Sequence, residues 1–310
     1  MSIAKVSGRP SHWPGQQVIE QLTQCAGGLF IWAATAVGFI EGGLPDERLP
    51  IVLNISTQSE SLAKLDELYR LTLAHQFEPF IAREFEALRQ VLGVIVAARE
   101  RLTDDVLCRL LGLELRTVHD ILSRLRSLLQ WSPGEPIIVL HGSFPDFLSD
   151  HDRCKDGRWF IDEPAHHRQL AAACFKIMHD CLHFNICGIK TSYYKNTAID
   201  GINQLVDQSV TPYLMYSSQY WANHLDLGVT ASSDISGFPA EIRFFLKERF
   251  LFWLEVLSLK DCLRIVSGIL GVAADWCKVW ICCISGSITL LIADVDRNTA
   301  RNWSPMFGMH

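Results

Sequence analysis

His141 and Ser143 stand two residues apart, between the apolar run Ile137-Ile-Val-Leu140 and the stretch Ser143-Phe-Pro-Asp146-Phe-Leu148. The first run reads as a strand and the second as a short helix. An imidazole at such a junction can donate a hydrogen bond to a phosphate oxygen at the helix start. It can equally bond locally and fix the corner, and the sequence leaves both readings open. Ser143 lacks the Gly-x-Ser-x-Gly turn that would expose it as a nucleophile.

Cys174, His179, Cys181, His183 and Cys187 form a second group. His179 and His183 are four residues apart and share a helix face, as some zinc ligands do. Cysteine is also among the most often buried residues, and this helix needs apolar filling. No Cys-x-x-Cys pair occurs in the chain, which weakens the zinc-ribbon and redox readings. His166-His167 fits a solvated or capping role at a helix start. A phosphate-binding loop needs Gly-Lys-Ser/Thr, whose backbone N–H groups, lysine and hydroxyl hold phosphates and Mg²⁺. That string is missing. Gly188-Ile-Lys190-Thr191 has an extra residue, and Leu290-Leu-Ile-Ala-Asp294 has no phosphate loop before it. No independent NTP hydrolysis, no resident cofactor and no metal are expected.

The elements that must position these residues are mostly helices. Apolar residues at three-to-four spacing predict a helix over 16–40, interrupted at Gly27-Gly28. Residues 46–60 are polar and read as a connector. Helices follow over about 62–73 and 80–96. Thr103 is a predicted N-cap, with Asp104 and Asp105 placed as helix-start charges, and Gly112 is the predicted stop. A second helix is predicted over 115–129, then a hairpin from Leu129-Gln-Trp131 to Ile137–Leu140 around Ser132-Pro-Gly-Glu-Pro136. Helix, short helix, helix and hairpin make a winged-helix arrangement. Further helices are expected over 166–185, 200–206, 211–225 and 233–259. In the last, Trp253 with Phe244, Phe245, Phe250 and Phe252 reads as a packing face of a helical linker. The predicted fold is therefore mainly α: helical bundle segments flanking a winged-helix domain with one small β-hairpin.

The chain has 310 residues, 49% of them apolar and 20% charged, enough for two small domains, or one large one, with a sizeable core, and too apolar for a disordered chain. A net charge of −6 argues against a general nucleic-acid binder. Between Arg99 and Arg126, six arginines face five acidic residues, a weak footprint for entering a groove. The N-terminus has no basic run followed by an apolar stretch, so a cytoplasmic protein with buried thiols is expected. Val279–Ala293 is a charge-free run of fifteen residues. A membrane span wants about twenty, so the run reads as a core-facing helix or as an altered gene reading.

Several motifs fall in a familiar order. They are Ala26-Gly-Gly-Leu-Phe-Ile-Trp32-Ala-Ala-Thr35, Leu65-Asp66-Glu-Leu68-Tyr69, and Val139-Leu-His141-Gly-Ser143-Phe-Pro-Asp146-Phe-Leu-Ser-Asp150. Trp159-Phe-Ile-Asp162, His166-His167, Asn185-Ile-Cys-Gly188, Tyr220-Trp-Ala-Asn-His224-Leu225 and Phe250-Leu-Phe-Trp253-Leu-Glu255 follow. Over roughly residues 13 to 260 the chain resembles the large mushroom-type fungal NACHT proteins of the STAND class of signal-transduction NTPases. The resemblance implies the end of a NACHT helical subdomain over 1–45, a winged helix over 60–150, a helical linker over 151–262 and an atypical apolar tail over 263–310. It also implies that His141, with Ser143, contacts the phosphate of a bound ADP on a NACHT core and holds an off state.

The expected function is thus a non-catalytic regulatory or scaffold fragment of such an NTPase. Its expected partners are a NACHT nucleotide-binding core, a related signalling protein, or a second copy of itself. Nucleic acid and membrane are not expected. A winged-helix DNA-binding protein is the alternative, and a small zinc-binding helical protein a weaker one.

Overall fold

The computed structural model describes residues 13–55, 61–79, 82–155, 157–190, 199–229 and 237–280. It is mainly α, with one two-stranded antiparallel hairpin. The chain divides into two units, residues 1–162 and 163–310. Residues 151–162, grouped with the linker by the sequence, pack in the first.

In the first unit, Gly27 and Gly28 carry φ angles of 53° and 84°, a backbone region that side chains with a Cβ avoid. The predicted long helix therefore divides into α1 (Gln16–Ala26) and α2 (Phe30–Glu41). Residues 45–53 are a helix, α3 (Pro45–Leu53), and not the connector expected from their polarity. Its start signals are a proline in the first turn and the acids Asp46 and Glu47 against the helix dipole. Leu49 and Val52 are its buried face, and the Arg48 guanidinium lies 4.8 Å over the Phe39 ring of α2.

The helices α4 (Ser61–Phe77) and α5 (Ala82–Ala97) agree with the predicted apolar stripes. Next come α6 (Asp104–Leu111) and α7 (Leu115–Arg124). Thr103 caps α6, its hydroxyl accepting from the Val106 N–H at 3.5 Å. The second helix stops five residues before the predicted Leu129. Leu125, Leu128 and Leu129 are all buried, but a turn buries them, with the N–H groups of Leu128 and Leu129 both donating to the Leu125 carbonyl. The turn leads into β1 (Leu129–Gln130), which pairs with β2 (Ile138–Val139) in the register Leu129 to Val139. So short a hairpin is not stable alone; the Ile137 N–H donates to the Leu102 carbonyl at 2.8 Å and ties it down. Two short helices, α8 (Ser143–Ser149) and α9 (His151–Cys154), complete the unit.

The second unit is built on α10 (Glu163–Cys181) packed along α12 (Pro212–Leu227), with α11 (Ile202–Ser209) between them in sequence. Then α13 (Phe238–Phe244) runs through a π turn, Phe245–Arg249, into α14 (Phe250–Leu259). The π turn brings Phe245 to 5.2 Å from the Trp221 ring and 5.7 Å from Trp253, whose indole N–H donates to the Ser218 carbonyl. Of the expected aromatic packing face, Phe245, Phe250 and Trp253 are buried in the core of this unit, whereas Phe244 is exposed and Phe252 half-buried. A 3₁₀ turn, Leu263–Ile265, precedes α15 (Val266–Trp280). The tail run 279–293 lies outside the described residues except for its first two, which end α15.

Candidate functional site

His141 follows β2, and Ser143 is the first residue of α8. The structure brings the two together. The Ser143 backbone N–H donates to His141 Nδ1 at 3.1 Å, and Ser143 Oγ lies 2.7 Å from the same nitrogen. A nitrogen that accepts a backbone N–H carries no proton itself. The ring is then the neutral tautomer with its proton on Nε2, and the Ser143 hydroxyl donates to Nδ1. His141 is exposed, and among the described residues nothing bonds Nε2. The imidazole therefore offers one N–H donor to whatever approaches the corner.

Beneath it, α4 supplies a platform. Asp66 and Tyr69 are three residues apart, so they share one face of the helix. The Tyr69 hydroxyl lies 2.9 Å from Ser143 Oγ and completes a chain from Tyr69 through Ser143 to His141. Its ring is buried against Phe144 and Phe147, at 5.2 and 5.6 Å. Burial pushes the phenol above its ordinary pKa, against the opposing effect of the Ser143 hydrogen bond. Arg153 of α9 forks onto Asp66, at 2.7 and 3.2 Å, and also reaches the Ser143 carbonyl at 3.4 Å. Hydrogen bonding to Asp66 raises the arginine's pKa further. Beside this pair is a cleft of about 250 Å³ whose charged walls are Asp66, Glu67, Arg70, Asp152, Arg153 and Lys155. Arg70 is ion-paired with Glu67. Three acids and three bases make it nearly neutral, so it offers no strong field to an anion.

The Ser143–His141 contact differs from a nucleophile–base pair. Nδ1 is taken by the serine's own backbone, and among the described residues no carboxylate orients Nε2. What the corner can do chemically is present a fixed N–H donor, braced from α4.

The other singled-out residues are placed as follows. Cys174 is fully buried, and desolvation pushes its thiol up to about 12. His179 lies on the surface beside Asp180, His183 bonds the neighbouring Phe184 carbonyl, and Cys187 is buried. Among the described residues no group of three or more His, Cys, Asp or Glu side chains is placed to hold a metal ion. His166 and His167 are neither solvated nor capping: both are buried. The helix starts at Glu163, earlier than the sequence indicated, so the two histidines lie within it. Asp104, read as a helix-start charge, is also buried and accepts three hydrogen bonds, from His119 and from the backbone of Asp105 and Gly134. Periodicity had no signal for Arg153 or for the His119 and Gly134 partners of Asp104, because each of these pairings joins different elements.

Among the described residues no helix is long and apolar enough to cross a membrane. In comparison with known proteins, no family model, no curated protein and no solved structure matches the chain.

Proposed function

We propose that this chain is a non-catalytic switching and docking segment of the kind found in fungal NACHT-type STAND NTPases. In this reading residues 60–150 serve as a winged-helix domain, and His141 within it faces the phosphate of a nucleotide held by a separate NACHT core. The chain contributes surfaces and one positioned donor, and the core contributes the nucleotide chemistry.

The observation that supports this best is the His141 corner. A histidine kept for local structure needs one nitrogen bonded, and Ser143 supplies that bond. The same bond orients the ring and leaves Nε2–H directed to an exposed position, the geometry a phosphate oxygen would meet. The absence of Gly-Lys-Ser/Thr from the sequence is consistent with a partner that brings the phosphate loop.

The test is calorimetry and nucleotide release. The isolated chain should give no heat with ADP or ATP. Added to a recombinant NACHT core that carries Gly-Lys-Ser/Thr, it should form a complex that slows ADP release. His141→Ala should restore release by about tenfold, the equivalent of one lost hydrogen bond to a charged group. Micromolar nucleotide affinity in the isolated chain, or release unchanged by the substitution, sinks the reading.

A further inference from the structure

The second unit holds a pair of histidines that the reading above does not use. His167 of α10 is 2% exposed and His224 of α12 is 0% exposed. Their Nδ1 atoms lie 2.8 Å apart, the rings tilted with centroids at 5.0 Å. One ring must donate and the other accept, so the contact exists only while a single proton lies between them. The flanking groups decide the direction. Tyr216 Oη lies 2.8 Å from His224 Nε2, and His167 Nε2 lies 3.5 Å from Glu163 Oε1. A carboxylate at this distance repels a lone pair and attracts an N–H, which favours the His167 proton on Nε2. His167 Nδ1 then accepts from His224 Nδ1–H, and His224 Nε2 accepts from the Tyr216 hydroxyl.

We propose that the His167–His224 pair is a proton-operated lock on the packing of α10 against α12. A second proton makes both Nδ1 atoms donors, pointed at each other across 2.8 Å. The bond becomes a clash of like dipoles, and an imidazolium is left in a buried site. The helices must part locally for the rings to reach water. In the open state each histidine takes up its proton near pH 6.5. The open state therefore binds more protons than the closed one, and the closed state loses stability as pH falls below about 6.5.

The other charged and titratable groups nearby do not replace this lock. On α10, Arg168 is committed to the Gly228 carbonyl at 2.7 Å, at the end of α12. The Cys174 thiol is held neutral far above this range. On α12, Asp226 is exposed. On α15, which also packs on α12, Asp275 and Lys278 are exposed and pair with each other at 2.9 Å. Lys247 and Glu248 of the π turn are exposed. On α14, Glu255 accepts the backbone N–H groups of Asn185 and Ile186. His166 is the remaining buried histidine of this region, so the variants must leave it in place.

The experiment is hydrogen exchange on the full chain at pH 7 and pH 5, corrected for intrinsic exchange. Protection of α10 and α12 should fall by about tenfold or more relative to α6 and α7 of the first unit. The double variant H167Q/H224Q, which keeps His166, should abolish that relative fall. Equal protection at both pH values, or the same fall in the double variant, overturns the proposal. Should the double variant not fold, imidazole ¹⁵N resonances of the unmodified protein decide. Both rings charging together with the loss of α10 and α12 protection sustains the lock. Rings still neutral at pH 5, or charging with protection intact, refutes it.

Discussion

Asp104 Oδ2 lies 2.6 Å from His119 Nε2, and Oδ1 of the same carboxylate accepts the Gly134 N–H at 3.1 Å. One buried side chain thus joins the start of α6, the middle of α7 and the tip of the hairpin. The His119 ring in turn lies against Trp131, centroids 4.9 Å apart, which closes the hairpin over the two helices. The carboxylate is the covalently local part of an arrangement that is otherwise entirely tertiary.

Asp104→Ala should therefore loosen the hairpin as well as α6. Losing hydrogen bonds to a buried charge should cost about 2–3 kcal/mol. Urea unfolding followed by helical circular dichroism, with hydrogen exchange of the hairpin amides as a second probe, checks this. A cost within the scatter of exposed-surface variants would show that the carboxylate is incidental.

The chain Tyr69–Ser143–His141 makes an ordered prediction. Ser143→Ala leaves a buried phenol hydroxyl without its partner and should cost about 1–3 kcal/mol. Tyr69→Phe removes the donor itself, in a ring still packed on Phe144 and Phe147, and should cost less. Equilibrium denaturation of both variants compares them, and a larger loss in Tyr69→Phe would contradict the hydrogen-bond direction assigned here.

Arg153→Lys tests the fork on Asp66. A lysine keeps the charge and loses the paired N–H geometry, at a side chain only 18% exposed facing one 12% exposed. The expected loss is about 2 kcal/mol, despite conserved charge. A double-mutant cycle with Asp66→Asn should show strong coupling, and additive effects would rule the fork out as a contributor.

Alkali should weaken the fold before it ionises the buried thiols. Burial pushes Cys174 up to about 12 and Cys108 up to about 11, from an ordinary value of 9.0. Above pH 9 the unfolded thiols lose protons that the folded ones keep, so stability is full below that pH and declines as pH rises toward 12. Cys174 alone accounts for up to about 4 kcal/mol over that range. Denaturation midpoints between pH 7 and pH 10.5 should fall less steeply in Cys174→Ala, and an unchanged slope would contradict the assignment.

Gly38 of α2 marks a close approach. A Cβ there would meet Ser127 Cβ at 2.9 Å and Ser127 Cα at 3.1 Å, in the turn between α7 and β1. Gly38→Ala should cost about 1–3 kcal/mol by overpacking, although alanine is the better helix former. Thermal unfolding checks the sign: a stabilised variant would mean the turn yields freely.

Much of this architecture could be read directly from the residues. The spacing of leucines and valines, Thr103, the Gly27-Gly28 break and the turn Ser132–Pro136 suffice for a mainly helical chain with one hairpin. Those signals are local, carried by residues within a few positions of one another. The charged stretch 45–53 misled because polarity was weighed above its proline and acid helix-start signals, and α7 was drawn too long because a turn buries the same leucines a helix would. At the corner, the adjacency of His141 and Ser143 was also local and legible. Their brace was not: Tyr69 is 74 residues from Ser143, and Arg153 is 87 from Asp66. The His167–His224 bond spans 57 residues and was hidden the same way. Sequence patterns report which face of an element is apolar; only the packed chain decides which polar groups end up buried together, because burial removes the water that would otherwise satisfy each of them separately.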